Sequence, residues 1–398
     1  MNTAGTAKAP ELQTLAPASH RQLEAAASNQ TGRSRRPHFW PTPAHDLLLR
    51  AALLPGPEAI AAWEQWRLSA SRDPASQRLL PILYHNLRSL GVAANSLQEY
   101  RRAYDQAWCE NQFMFSHAAA IVRGLREAGI EVLLLKGAAL ALAFYPDPAL
   151  RPMSDIDILV RPEQIAKATE VCRRLGWQPI FDPLDLLPLD QGVHFVRGSE
   201  FQLDLHWRPF WEFRRDASDD PLWVHAVPLT MGAESTRCLN GTHQLLHVCV
   251  HGTQRCDVPL IRWVADAMAV LRSPRQTVDW DELTEQTARR RYTRHMLDTL
   301  SYLQQRLDAP IPAEAMVRLR KAPATIFDSL YYRTQSSNHE AIRLLLWWQL
   351  LAPLRSDANL SWRQRASSLH RYLRAKWRVR NPLQLPLSAV SRIFHKLF

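Results

Sequence analysis

Apolar positions change their spacing twice along this chain, giving a helical front, a mixed centre and a helical back. Between His45 and Gly91 they recur every three or four residues. Leu47, Leu48, Ala51 and Leu54 come first, then Ile60, Trp63 and Trp66, then Leu79, Leu80, Ile82, Leu83 and Leu87. A period near 3.6 predicts amphipathic helices, here three short ones. Ser96 and Glu99 have capping-box spacing and predict the start of a long helix through Tyr104, Trp108, Phe115, Ala119, Val122 and Leu125. Gly129 predicts its end.

The period then shortens. Val132 to Leu135 is a continuous apolar run and predicts a buried strand. Lys136-Gly137 closes it, Ala138 to Phe144 predicts a short helix, and Tyr145-Pro-Asp-Pro148 a turn. In the next stretch Ile156, Ile158 and Val160 alternate with Asp155 and Asp157, which predicts a strand with one apolar and one acidic face. Pro162 predicts a helix start, with Ile165, Ala168, Cys172 and Leu175 as its stripe and Gly176 as its end. A strand is expected at His194 to Arg197. From Phe201 the alternation is clean: Phe201, Leu203, Leu205 and Trp207 face one way, and Gln202, Asp204 and His206 the other. Thr242 is expected to cap a helix bearing His243, His247 and His251. Further helical runs are expected at 260–272, 279–292, 295–307, 339–352 and 361–379, and there is no internal repeat.

Composition refines this layout. A chain of 398 residues with 46% hydrophobic content and 14 Trp can bury a sizeable core in two or three domains. Residues 1–40 lack an apolar period and are expected to be disordered. Residues 41–128 read as a helical region, 129–235 as an α/β core, 236–355 as a second helical region and 356–398 as a basic helical tail. The net charge of +11 sits at the ends: Ser361 to Phe398 holds nine Lys or Arg and no Asp or Glu, and the 41–360 body is close to neutral. Such a tail suits anionic lipid or nucleic acid, or is a solvated helix. The neutral body argues against long nucleic acid as the main substrate. The five Cys are scattered, and no secretory apolar segment follows Met1. A reducing cytoplasm, with peripheral membrane contact through the tail, is the expected location. The most apolar window, Ile342 to Leu354, is too short to span a bilayer.

The candidate chemistry lies in the centre. On a strand, Asp155 and Asp157 project to one side about 7 Å apart at Cα. Carboxylates that close repel unless a cation lies between them, and Mg²⁺ is held by one or two carboxylates plus substrate phosphates. Asp204, on the polar face of another strand, adds a third carboxylate. Three such groups on neighbouring strands hold two Mg²⁺ ions about 3.5–4 Å apart. Gly137, between strand and helix, lets backbone N–H groups approach a phosphate. Arg151 has two readings: contact with substrate, or pairing with Asp155 or Asp157 to keep them ionised. His243, His247 and His251 share one helix face, with Cys249 and Cys256 nearby. Their spacing matches no zinc pattern, and His251 lining a cleft beside the sheet is the other reading.

Four motifs together, Leu135-Lys-Gly-Ala-Ala-Leu140, Tyr145-Pro-Asp-Pro-Ala-Leu-Arg151, Ser154-Asp-Ile-Asp-Ile-Leu-Val160 and Leu203-Asp-Leu-His-Trp207, resemble a bacterial family of uncharacterised nucleotidyltransferases within the DNA polymerase β-like superfamily. The resemblance covers about 115–275. It implies an α+β fold, with a small mixed sheet flanked by helices and helical N-terminal and C-terminal regions. It also implies Mg²⁺-dependent transfer of a nucleoside monophosphate from an NTP to a hydroxyl, with release of pyrophosphate. The acceptor would be a small molecule, a sugar, a peptide or a protein. Asp155 and Asp157 would be metal ligands, Asp204 the third ligand or the base, and Gly137 a phosphate contact. The first motif usually reads Gly-Ser or Gly-Gly, whereas here Gly137-Ala138 offers no hydroxyl after the glycine. Lys136 is expected to supply a cation in its place. Two other functions stand open from the residues alone: an inactive relative serving as a binding or assembly module, and a metal-dependent hydrolase built on the histidine face.

Overall fold

The computed structural model describes residues 40–69, 73–187, 190–198, 201–210, 218–254, 261–324, 328–329, 332 and 361–377. The helical run expected at 339–352, Cys256, nearly all of the 1–40 segment and the end of the basic tail lie outside them.

Three helices of more than two turns open the described chain, α1 (Pro43–Leu53), α2 (Pro57–Leu68) and α3 (Leu80–Ser89), with a single helical turn at Pro74–Gln77 between the last two. Thr42 caps α1, its hydroxyl accepting the His45 N–H at 3.2 Å. The long helix α4 (Gln98–Glu127) buries Ala107, Asn111, Met114, Ala118, Ile121, Val122 and Leu125 along one stripe. A 3₁₀ turn over Ala94–Leu97 leads into it, and no side chain caps its start. The expected Ser96 cap is not made, because the chain turns into the helix two residues later.

The centre is one mixed sheet of seven strands: β1 (Leu133–Leu134), β2 (Ile156–Leu159), β3 (Gln178–Pro179), β4 (Gly192–Arg197), β5 (Phe201–His206), β6 (Val227–Met231) and β7 (Glu234–Cys238). Their spatial order is β3-β4-β5-β2-β1-β7-β6. β2 runs parallel to β5 and antiparallel to β1, and β1 runs parallel to β7. The fold is therefore the expected α+β arrangement, with three strands that the sequence pattern did not predict, β3, β6 and β7. The β6–β7 hairpin is hard to see in the sequence because Pro228 interrupts an otherwise alternating β6 and because β7 carries the polar Glu234 and Thr236 at its buried positions. Pro228 is tolerated because β6 is an edge strand. Helix α5 (Lys136–Ala143) follows β1, and α6 (Ile165–Arg174) follows β2.

The back of the molecule is helical. It comprises α7 (Gly241–Gly252), α8 (Arg262–Leu271), α9 (Trp280–Arg289), α10 (Thr293–Leu307) and the unanticipated α11 (Ala313–Lys321). Asn240, not Thr242, caps α7, its Oδ1 accepting the His243 N–H at 3.0 Å. Thr242 Oγ1 instead accepts the Asp279 N–H at 2.8 Å and ties α7 to the start of α9. The basic helix α12 (Trp362–Trp377) buries Tyr372 and packs beside the turn at Pro183–Leu186. Cys109, Cys172, Cys238 and Cys249 are free thiols. No described helix is long and apolar enough to cross a membrane.

Candidate active site

Asp157 is the second residue of β2, and its partner across the parallel ladder is Asp204 of β5. Neighbouring strands lie about 4.8 Å apart, so register alone sets the two carboxylates side by side on one face. Asp204 is registered in turn with His194 of β4, whose Nδ1 contacts Asp204 Oδ1. His206 projects from the same face of β5, with Nε2 3.0 Å from Asp157 Oδ1. Opposite it, a Cβ on Gly192 would lie 2.8 Å from His206 Nδ1, so this glycine makes room for the imidazole. The ligating atoms of Asp157, Asp204 and His206 all fall within 4.8 Å of one another.

Asp155 precedes the strand and stands half-buried beside this group. Burial, then the charges of Asp157 and Asp204, raise its carboxyl above the ordinary value. Asp157 goes the other way. Burial alone would raise it, but Lys136 and His206 hold it far below the usual carboxylate range. Lys136 Nζ lies 2.6 Å from Asp157 Oδ1 and 3.4 Å from His206 Nε2. Burial disfavours the Lys136 ammonium, yet Asp157, Asp204 and Asp155 outweigh that and hold its pKa up. The Lys136 backbone is left-handed, with φ 41°. A residue with a Cβ pays about 1–2 kcal/mol in such a conformation, and strain of this kind persists where its surroundings fix it. Here the Lys136–Asp157 pair and a 3.0 Å bond from the Leu135 N–H to the Asp157 carbonyl fix the turn.

Gly137 lies in the first turn of α5. A Cβ there would meet Arg151 Nη1 at 3.1 Å and Met153 Cγ and Sδ at 3.2 Å. The protein's own side chains therefore use the space the glycine leaves. What Gly137 offers a phosphate is its place at the N-terminus of α5, which no side chain caps.

Arg151 pairs with neither Asp155 nor Asp157. It is buried, and its Nε and Nη2 donate to the two oxygens of Asp266 on α8 at 3.0 Å each. The Tyr145 hydroxyl donates to the same carboxylate at 2.9 Å. Asn111, wholly buried in the apolar stripe of α4, donates to the carbonyls of Pro148 at 2.7 Å and Arg151 at 3.0 Å. Its Oδ1 accepts the Met153 N–H at 3.1 Å. Asp266 and Asn111 together fix the loop that delivers Asp155 and Asp157; the resemblance covers Asp266 without giving it a role, and nothing in the sequence pattern marked Asn111.

Arg262 lies in the Arg262 to Asp266 stretch that the resemblance covers, but it had no role assigned from the sequence. It opens α8 one turn before Asp266, and its Nη1 donates to the Pro152 carbonyl at 2.7 Å. Among the described residues it has no carboxylate partner. Burial, then the charges of Arg151 and Arg78, lower its guanidinium to about 9, while Asp266 and Asp155 pull it the other way. The signal in the sequence was the four-residue spacing of Arg262 and Asp266 at a helix start.

The three histidines of α7 divide. His247 and His251 stack at 6.0 Å, and both are lowered by burial and then by the Lys136 charge, His247 to about 3. They stay neutral at physiological pH and face the acidic group. His243 turns to Glu282 and His225 instead. The three carboxylates form an oxygen donor set that suits a hard divalent cation. Crowding raises one of them, and a bound cation would relieve that. Asp155, Asp157 and Asp204 would hold such an ion, and Lys136 already meets one Asp157 oxygen.

A family model described as uncharacterised nucleotidyltransferase matches residues 74–308. That span is more than half of the chain and holds the whole sheet and every site residue named above. No curated protein matches the chain.

Proposed function

The chain belongs to the uncharacterised nucleotidyltransferase family, and from that membership we propose Mg²⁺-dependent transfer of a nucleoside monophosphate from an NTP to a hydroxyl-bearing acceptor. The observation that carries this reading is the register of Asp157 with Asp204, with Lys136 set against them. Mg²⁺ held by Asp155, Asp157 and Asp204 would supply charge neutralisation for the triphosphate and for the leaving pyrophosphate. The acceptor oxygen forms a bond to the α-phosphorus, and the bond to the bridging oxygen of the β-phosphate breaks. The hydroxyl proton passes to an oxygen of Asp204, whose other contact is His194 Nδ1. Arg262, fixed by the Pro152 carbonyl and without a carboxylate partner among the described residues, binds the terminal phosphates, with the uncapped N-terminus of α5 as a second anchor. Arg151 positions the loop through Asp266 rather than touching substrate.

The test is pyrophosphate release from each NTP in the presence of Mg²⁺ and candidate hydroxyl acceptors. Arg262→Ala should raise KM for the NTP at least tenfold, and Asp204→Asn should abolish release while NTP binding persists. One observation favours a second reading. Lys136 Nζ already sits on the Asp157 oxygen that a metal would share. A module that binds NTP without turnover would show Mg²⁺-dependent binding and no pyrophosphate with any acceptor.

A further inference from the structure

We propose that His225, His243 and Glu282 form a second metal site, for a first-row transition ion such as Zn²⁺, distinct from the acidic group around Asp157. One ligating atom from each residue lies within 4.8 Å of the others. His243 Nε2 is 3.2 Å from Glu282 Oε1, and the His225 and His243 rings stack with centroids 5.8 Å apart and planes 5° from parallel. Tetrahedral zinc with bonds of about 2.0–2.1 Å sets its ligands roughly 3.3 Å apart. The His243–Glu282 pair already has that spacing. His225 is exposed at the end of the turn Asp220–Val224 and needs only a side-chain movement to close on the ion.

Three separate elements bring the donors together, and two are pinned. His243 lies in the first turn of α7 and Glu282 in the first turn of α9. The Asp279 N–H bonds Thr242 Oγ1 at 2.8 Å, and a Cβ on Gly241 would stand 2.9 Å from the Thr277 carbonyl. The two helix starts therefore meet backbone to backbone. Gln286 Nε2 donates to Glu282 Oε1 at 3.1 Å and orients the carboxylate, as partners beyond the ligands commonly do. The nearby cation, Arg290, is already committed to Asp219 at 2.9 Å and to the Ser218 carbonyl. Two imidazoles and one carboxylate match a zinc set that leaves a fourth position to water. An ion there would clip α7 to α9, and α7 also carries His247 and His251 into the catalytic cleft.

The experiment uses the full chain stripped with a chelator and titrated calorimetrically with Zn²⁺ alone, comparing wild type, His225→Ala, Glu282→Gln and Asp157→Asn. His225 is exposed, so its replacement should leave the metal-free melting temperature unchanged. The expected result is one tight Zn²⁺ event that persists in Asp157→Asn. It should weaken at least about 100-fold in His225→Ala, since even an outer-shell partner is worth 10–100-fold. Glu282→Gln should weaken it too. Absence of any tight event, an event untouched by His225→Ala, or one lost only in Asp157→Asn would overturn the site. None of these outcomes bears on nucleotide transfer.

Discussion

Lys136 is held in a left-handed turn by the carboxylate it neutralises. Removing one partner of a buried ion pair costs about 3–5 kcal/mol. His206 would remain on Asp157, so Lys136→Met should cost about 3 kcal/mol, at the lower end, read as a shift in denaturant midpoint. Added Mg²⁺ should recover part of that loss. The pH dependence has a definite sign. Asp157 is depressed, so its contribution is present above 3.8 and is lost as pH falls through its lower folded value. Lys136 is raised, so its contribution is present below 10.5 and is lost as pH rises through its higher folded value. The pair therefore holds across the neutral range. Asp155 has the opposite effect. Its raised carboxyl keeps the proton longer in the folded state, so the fold loses stability as pH climbs from 3.8 through the folded value. Asp155→Asn should accordingly raise the melting temperature of the metal-free chain at pH 8, and the gain should vanish below 3.8. Melting curves of both chains across that range check it.

Among the elements, the loop from Pro148 to Met153 decides where the carboxylates stand, and α4 and α8 hold it. Asn111→Leu keeps the volume but leaves two carbonyls and one N–H without their partner. Each unsatisfied buried group costs about 1–3 kcal/mol, so a loss of about 3 kcal/mol and weaker NTP binding are expected, measured by chemical denaturation and calorimetry. The sequence showed β2 and β5 because alternation is local: each strand carries its own apolar and acidic faces. It did not show the Arg151–Asp266 pair, whose members lie 115 positions apart, because nothing short-range specifies such a partner. The capping expectations at Ser96 and Thr242 failed for a related reason. Several polar residues near each helix start can accept the first N–H groups, and tertiary packing selects among them.

Across the whole molecule, charge and site are separate. The acidic face lies in a nearly neutral body, while the basic residues gather in α12 and beyond. Helix α12 is anchored through Tyr372, only 4% exposed. Tyr372→Ala should cost about 3 kcal/mol, as large aromatic truncations do, yet leave Mg²⁺-dependent NTP binding unchanged. Denaturant midpoints and calorimetry separate the two effects. The pairing of Asp157 with Asp204 was legible as two polar faces. The place of His206 beside Asp157 was not, because it depends on Gly192 yielding space on a third strand. The most direct measurement is the thermal stability of wild type and Asp155→Ala against the four NTPs, each with and without Mg²⁺. The acidic-face account expects a shift that requires Mg²⁺, prefers one nucleotide and disappears in the variant. An equal shift in the variant, or none with any nucleotide, would contradict it.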